Sequence, residues 1–389
     1  MPIAVDELVA ILQQSQGVRT LLPRGLATRP VVAVAKPRAQ AVTELNLAQM
    51  PREIDLDPDE MVVTVTAGTP LADLDAAARA HGLFVPPILT GTPLDARMPG
   101  QHGLLAGTIG GLYSDPRELS TSASLGRVRD HVLGIEAVRG DGTPFKSGGR
   151  VVKNVTGYDV TRFLCGARGR WGVITKLHWR LQPRPQQAAS AQFEFGTASE
   201  LWRGVDAIRD CGREPLDAWV MPDEHILGIV EASRGEFAST QMQHYRELLQ
   251  DNGGTEIEPA APRGTTAAES CNATTLVRVR APYSRWATLT NPVAGVQWER
   301  VHPFADFALA RLPHHELTPT VAALLQLRQQ WAPLGATLAV EAITPDLFGL
   351  DRATLHGTDE PSAVRELAQR LHKEWDPHGT LDYEAADGP

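Results

Sequence analysis

GTIGGLYSDPRELSTSASLGRVRDHVLGIEAVRGDGTPFKSGGRVVKNVTGYDVTRFLCGARGRWGVITKLHWRLQPRP, residues 107–185, carries three short patterns in a fixed order. Gly107-Thr108-Ile109-Gly110-Gly111 is a small-residue turn after an apolar approach. Lys153-Asn154-Val155-Thr156-Gly157-Tyr158-Asp159 opens a short helix. Gly172-Val173-Ile174-Thr175 begins a strand in which Val173, Thr175, Leu177, Trp179 and Leu181 alternate with Ile174, Lys176, His178, Arg180 and Gln182. That period of two predicts a sheet strand with one buried face. Between the patterns, residues 132–139 predict a strand, Gly140-Asp141-Gly142 a tight turn and residues 143–146 the returning strand of a hairpin.

Glycine lets the backbone approach a flat or charged ligand, because no Cβ intervenes. Successive N–H groups in such a turn form a concave site for an anion. The turn at 107–111 therefore suits the phosphates of a nucleotide cofactor, and equally a plain structural turn. No G-x-x-x-x-G-K-[ST] sequence occurs in the chain, and no strict G-x-G-x-x-G follows a strand. Neither a P-loop nor an ordinary Rossmann site is predicted.

Taken together, the pieces at 107–111, 126–134, 153–159, 172–175 and Pro183-Arg184-Pro185 resemble the FAD-binding domain of the vanillyl-alcohol oxidase / p-cresol methylhydroxylase (PCMH) family. Within it they are most similar to subunits of the glycolate oxidase type. The match in order and spacing covers about 80 residues, and a weaker resemblance runs from residue 5 to 87. It implies an α+β chain: a two-subdomain PCMH-type FAD-binding domain over 1–185, then a ferredoxin-like α+β cap domain over 186–360. A C-terminal helix and tail over 361–389 would return toward the FAD domain. By the same resemblance, the backbone of Gly172, Val173 and Ile174 lies against the adenine–ribose end of FAD. Gly107, Thr108, Ile109, Gly110, Gly111 and Gly126 approach its diphosphate and ring.

Upstream, Val5, Leu8, Val9 and Leu12 fall at helical spacing, and Gly17 stops the helix. A strand over 19–22 then leads to Pro23-Arg24-Gly25-Leu26-Ala27-Thr28. In the family a glycine-rich loop here holds the diphosphate, and this chain keeps one glycine. Leu26 and Ala27 restrict the positive-φ turns that aim several N–H groups at one anion. Arg24 remains able to pair with a phosphate and Arg29 to assist; the alternative is an ordinary loop with exposed arginines. The predicted cofactor contacts are therefore Arg24, Gly25 and Thr28 here, with the residues above. The loop also lacks the histidine or cysteine that attaches flavin covalently in some relatives, so non-covalent FAD is expected.

Strands are predicted over 31–35, 44–47 and 61–67, and a helix over 71–81 with Thr69 as N-cap, Pro70 at its first position and Gly82 as its stop. Residues 88–105 form a long Gly/Pro-rich loop containing His102. Asp159 is read as a helix cap rather than a catalytic group, and Tyr158 as a packed side chain. Lys153 would pair with an acid or a phosphate. Arg168-Gly169-Arg170-Trp171 stands where relatives carry an acidic or small residue; it either adds charge near the cofactor or blocks part of the pocket. After the boundary at Pro183-Arg184-Pro185, strand–helix–strand–strand–helix occurs, and a similar round repeats from 275 to 342. Two ferredoxin-like units fit that order. The helix over 366–375 precedes Asp376-Pro377-His378-Gly379. That is half of a family signature whose second half is replaced by Thr380-Leu381-Asp382-Tyr383.

The 389 residues allow two domains of ordinary size, and the 42% apolar content supports two cores. A net charge of -9 with interspersed signs argues against nucleic-acid binding. Cys165, Cys211 and Cys271 are read as free thiols, with no disulfide framework or Cys-based metal site. Neither a signal peptide nor an apolar run of membrane-spanning length is read, so the expected location is cytoplasmic, with peripheral attachment to the inner membrane through partners open.

Oxidation of a 2-hydroxy acid needs a base for the hydroxyl proton and a hydride acceptor. The histidine- and glycine-rich catalytic motif of the family's larger subunits is absent. His314-His315 would point to opposite faces of a strand, so no catalytic residue is assigned. The resemblance implies an FAD-dependent oxidoreductase subunit of a glycolate-oxidase-like complex, with a larger flavoprotein subunit and an iron–sulfur subunit as partners. A flavin-free scaffold of the same fold is the second reading. A freestanding sugar or alcohol oxidase is the third, weakened by the missing covalent histidine and catalytic motif.

Overall fold

The computed structural model describes residues 3–26, 31–35, 42–90, 105–116, 119–150, 159–258, 275–291, 295–312, 317–342, 362–381 and 383–387. Helix α1 (Val5–Ser15) buries Leu8 and Leu12, and Gly17 at φ +66° ends its turn. Strands β1 (Thr20–Arg24), β2 (Val31–Ala35) and β3 (Val42–Asn46) follow, with β1 and β3 parallel, Thr20 opposite Val42. Next come β4 (Ile54–Asp57), β5 (Val62–Thr66), α2 (Leu71–Ala80) and the short β6 (Leu83–Phe84). The glycine turn opens α3 (Ile109–Ser114), and two single-turn helices, α4 (Ser122–Leu125) and α5 (Val128–His131), lead into β7 (Val132–Val138). Strand β8 (Pro144–Gly148), α6 (Val160–Leu164), β9 (Val173–Arg180) and β10 (Gln182–Pro183) complete this part.

A five-stranded sheet in the order β4-β5-β9-β7-β8 carries the site. The alternation read in β9 appears as burial of Val173, Thr175, Leu177 and Trp179, while Lys176, His178 and Arg180 are half-buried. The hairpin at 140–142 joins β7 to β8, and the Asp141 carboxylate accepts the Thr143 N–H at 2.8 Å. Asp159 caps α6 by accepting the Arg162 N–H at 2.9 Å. One expected cap shifts: Pro70, not Thr69, occupies the N-cap position of α2, and the buried Thr69 hydroxyl has no hydrogen-bond partner. Pro70 pairs as an isolated bridge with Thr108, which holds it extended and starts the helix at Leu71.

The second part begins with β11 (Gln187–Glu194), α7 (Ala198–Asp210), β12 (Asp217–Met221), β13 (Ile226–Ser233), α8 (Phe237–Asp251) and β14 (Thr255–Ile257). A matching round follows in β15 (Thr275–Arg280), α9 (Trp286–Leu289), β16 (Gln297–His302), β17 (Phe307–Leu312), α10 (Leu317–Trp331) and β18 (Thr337–Ala342). The strand order is β14-β11-β13-β12-β16-β17-β15-β18. Numbering each round 1 to 4, the order is 4-1-3-2 and its mirror, so the two ferredoxin-like units join second strand to second strand. Val220 opposite Val301 is that junction, and the units share one core that includes Phe193, Trp286, Trp298 and Trp331.

The two parts meet through Phe84, Leu89, Leu216 and Val230. Ser124 Oγ donates to the Leu216 carbonyl at 2.7 Å and Ser120 Oγ to Asp217 at 2.8 Å. Helix α11 (Ser362–Trp375) returns to the first part, where Trp375 packs edge-on to Phe145 with 5.2 Å between ring centroids. Strand β19 (Tyr383–Asp387) pairs antiparallel with β2. The absent half of the C-terminal signature is thus replaced by a working turn. The buried Asp376 carboxylate accepts the N–H groups of Thr380 at 2.8 Å and Leu381 at 2.7 Å.

Candidate cofactor site

The floor of the site is α3. Its first residues follow the end of β5 and are locked to it. Ile109 N–H donates to the Thr69 carbonyl at 3.1 Å and Gly110 N–H to the Ala67 carbonyl at 2.9 Å. Gly111 N–H goes to the Thr108 hydroxyl at 3.1 Å. The expectation that this turn offers successive unused N–H groups to an anion is therefore corrected: at 109, 110 and 111 they are already spent inside the protein. Glycine is nonetheless required at 110, where an added Cβ would lie 2.8 Å from both the Cβ and the carbonyl oxygen of Ala67. The missing side chain faces the strand, not a ligand.

Around that floor an open pocket is lined by Arg24, Gly25, Thr108, Gly110, Gly111, Gly172, Val173 and Ile174. Three segments far apart in sequence, anticipated as cofactor contacts, thus share one cavity. Ile109 is fully buried beneath it, and Gly107 lies at its edge in sequence but not in its lining. Gly126, at φ +87°, is elsewhere and packs against the His131 ring. Thr28, Arg29, His102, Lys153, Tyr158, Cys271, His314 and His315 lie outside the described residues.

Sequence reasoning missed Pro23, Leu47, Ala67, Ser114, Arg168 and Gly169, which also line the pocket. The basic turn at 168–171 was the available signal. Its backbone is clamped to the end of α3: Gly166 N–H donates to the Tyr113 carbonyl at 3.1 Å and Arg168 N–H to that of Ser114 at 2.8 Å. Two arginines therefore belong to the lining. Arg24 pairs with Glu44 at 2.5 Å and Arg168 with Asp115 at 3.1 Å, and neither acid belongs to the lining. Small residues and two arginines, with no acid among the described lining residues, suit a dinucleotide's diphosphate. FAD fits such a set, and Arg24 and Arg168 are the residues that would hold its charge.

Burial controls the titratable groups nearby. Desolvation raises the pKa of the Tyr113 phenol, whose OH donates to the Thr161 carbonyl. Desolvation also pushes the Cys165 thiol up to about 11. It lowers His131, against the opposing pull of Asp130. None of these is poised for acid–base work at neutral pH. The Pro86–Pro87 bond is cis; Trp179 Nε1 donates to the Pro86 carbonyl and the Thr121 hydroxyl to that of Pro87, each at 3.0 Å. Among the described residues no cluster of three His, Cys, Asp or Glu could hold a metal ion, and no helix is long and apolar enough to cross a membrane.

Comparison with known proteins agrees with this geometry. Residues 2–148 match the FAD binding domain family. It is 33% identical over 163 residues to the glycolate oxidase subunit GlcE of Escherichia coli, covering 42% of each chain. It is 26% identical over 222 residues to the glycolate oxidase subunit GlcD of Bacillus subtilis, covering 57% of this chain and 43% of that one. A D-lactate dehydrogenase of Archaeoglobus fulgidus is 32% identical over 153 residues, 39% of this chain and 32% of its own. The matches span less than half the length of these relatives. The fold as a whole is that of an alkyldihydroxyacetonephosphate synthase, at a TM-score of 0.68 and 13% identity over 97% of this chain and 74% of that one.

Proposed function

We propose that this chain is an FAD-binding oxidoreductase subunit of a glycolate-oxidase-like, 2-hydroxy acid dehydrogenase complex. It holds FAD non-covalently and passes electrons within the complex, whose other members are a larger flavoprotein subunit and an iron–sulfur subunit. The observation that carries this reading is the pocket where Arg24, Gly25, Thr108, Gly110, Gly111 and 172–174 converge, with two arginines and no acid among the described lining residues. FAD supplies a two-electron acceptor there. The protein's own groups anchor its charge and present backbone at Gly25, Gly111 and Gly172. We place the working division of the chain at 1–185 for the cofactor domain, 186–360 for the cap and 361–389 for the returning helix and tail.

A flavin-free scaffold is the second reading. It is favoured by the single glycine at Pro23-Arg24-Gly25-Leu26 and by the internally paired N–H groups at 109–111. The test is an absorbance spectrum of the purified chain, then of the filtrate after heat denaturation. Flavin bands and releasable FAD support the cofactor reading. A colourless, folded chain that takes up no added FAD supports the scaffold. Reduction of a dye with a 2-hydroxy acid by the isolated chain would overturn the subunit assignment.

A further inference from the structure

We infer that Arg168 is a diphosphate anchor that takes over work the backbone cannot do in this chain. The inference rests on the cofactor reading above. The N–H groups at 109, 110 and 111 are committed to Thr69, Ala67 and Thr108. The segment after β1 offers Pro23, which has no N–H, and Gly25 as its one glycine before Leu26. What the pocket presents instead is charge from two sides: Arg24 at the end of β1 and Arg168 from the loop before β9.

The placement of Arg168 is held at a conformational cost. Its φ is +52°, a region that disfavours residues with a Cβ, and Gly169 follows at +78°. Strained backbone at a non-glycine residue persists where the surroundings over-determine it, and it concentrates at functional sites. Here the constraints are visible. The Arg168 N–H donates to the Ser114 carbonyl at 2.8 Å, and Nε pairs with Asp115 at 3.1 Å. On the other side, Gly169 touches Pro23 so closely that a Cβ would sit 3.1 Å from the ring. The loop thus bridges α3 and β1 across the pocket, and Arg168 is among the lining residues. A guanidinium has five N–H donors in a planar fork, so a carboxylate and a phosphate can share it. Asp115 pairs with the group, and no acid among the described lining residues would repel a phosphate there.

The test is FAD binding to the deflavinated full chain, read by flavin fluorescence, with ADP as a flavin-free competitor. Arg168→Gly removes the charge and suits the positive φ, so the apo protein should melt within a few degrees of the wild type. Loss of one charge-assisted contact should weaken FAD and ADP alike by about ten- to a hundredfold. Arg168→Lys should recover part of that loss, because it restores charge without the fork. If wild type and Arg168→Gly bind FAD equally, or the variant binds more tightly because a bulky side chain has left, the inference is overturned while the cofactor reading stands. If the wild type takes up no FAD, both fall together.

Discussion

Asp376→Ala should release the C-terminal tail from the cofactor domain. The Asp376 side chain is fully buried, and its two carboxylate oxygens accept separate backbone N–H groups, from Thr380 and Leu381. Gly140 packs against it so tightly that a Cβ there would fall 2.2 Å from Oδ1. The turn it closes presents the Thr380 carbonyl to the Leu21 N–H at 2.7 Å, buries Leu381 completely and delivers β19 to β2. Alanine leaves two N–H groups without partners. A hydrogen bond to a charged group contributes about 1.5–3 kcal/mol, so the loss of two is about 3–6 kcal/mol. Asp376→Asn keeps one acceptor oxygen without the charge and should cost about half as much. Hydrogen exchange at the Leu21, Thr380 and Leu381 amides measures this directly, because the penalty falls on local opening of the tail. Exchange at those three amides should speed up together in Asp376→Ala, and less in Asp376→Asn. Protection within about 1 kcal/mol of wild type in the alanine variant would refute the claim that this carboxylate holds the turn.

Further outcomes follow from single contacts. Gly228→Ala would drive a Cβ to 2.2 Å from the Trp219 indole, which also carries the Arg300 guanidinium 4.8 Å from its centroid; about 1–3 kcal/mol of destabilisation is expected, read from the urea midpoint, with a changed near-UV tryptophan signal. His131 is buried, and neither ring nitrogen makes a well-formed hydrogen bond although the Leu125 and Gly126 backbone lies close. Desolvation lowers its pKa, so the unfolded chain binds its proton first: stability is retained above about 6.5 and declines as pH falls through the window below it. His131→Leu should flatten that acid limb in urea titrations at pH 5 and 7; an unchanged limb refutes the assignment. With its pKa near 11, Cys165 is about one part in a thousand thiolate at pH 8, so its alkylation should be slow and still rising at pH 10.

What the sequence made legible was local. The period of two in β9 and the Asp-Gly hairpin stand in single windows, and both elements form where those windows place them. So do the strands and helices of the two rounds after residue 186, because each ferredoxin-like unit is specified by its own alternation of elements. Their fusion into one sheet was not legible: it rests on β12 meeting β16, a contact with no periodicity to announce it. The same limit explains the site. Glycines at 110, 111 and 172 could be picked out as small, but the reason for Gly110 is its fit against Ala67, a residue more than forty positions away. The acceptors that use up the turn's N–H groups are Ala67 and Thr69, just after β5, and Thr108, and no pattern within 107–111 reveals them. Arg168 was visible as a basic departure, but which of its two readings applied depended on where a left-handed turn aims it.

Replacing backbone donors by guanidiniums changes how a nucleotide is held, and that difference is measurable. Backbone N–H groups are neutral dipoles fixed by the fold, and binding through them responds weakly to ionic strength. A grip made by Arg24 and Arg168 is an attraction between net charges. Their side chains are 17% and 29% exposed, so solvent ions reach them in part. The Debye length falls from about 10 Å at 0.1 M to about 3 Å at 1 M salt. FAD affinity of the wild type should therefore decline across that range, and the decline should be shallower in Arg168→Gly, which has one less charge to screen. If affinity were independent of salt in both proteins, the diphosphate would be held by dipoles, and the residues between Gly25 and β2 would be where to look for them.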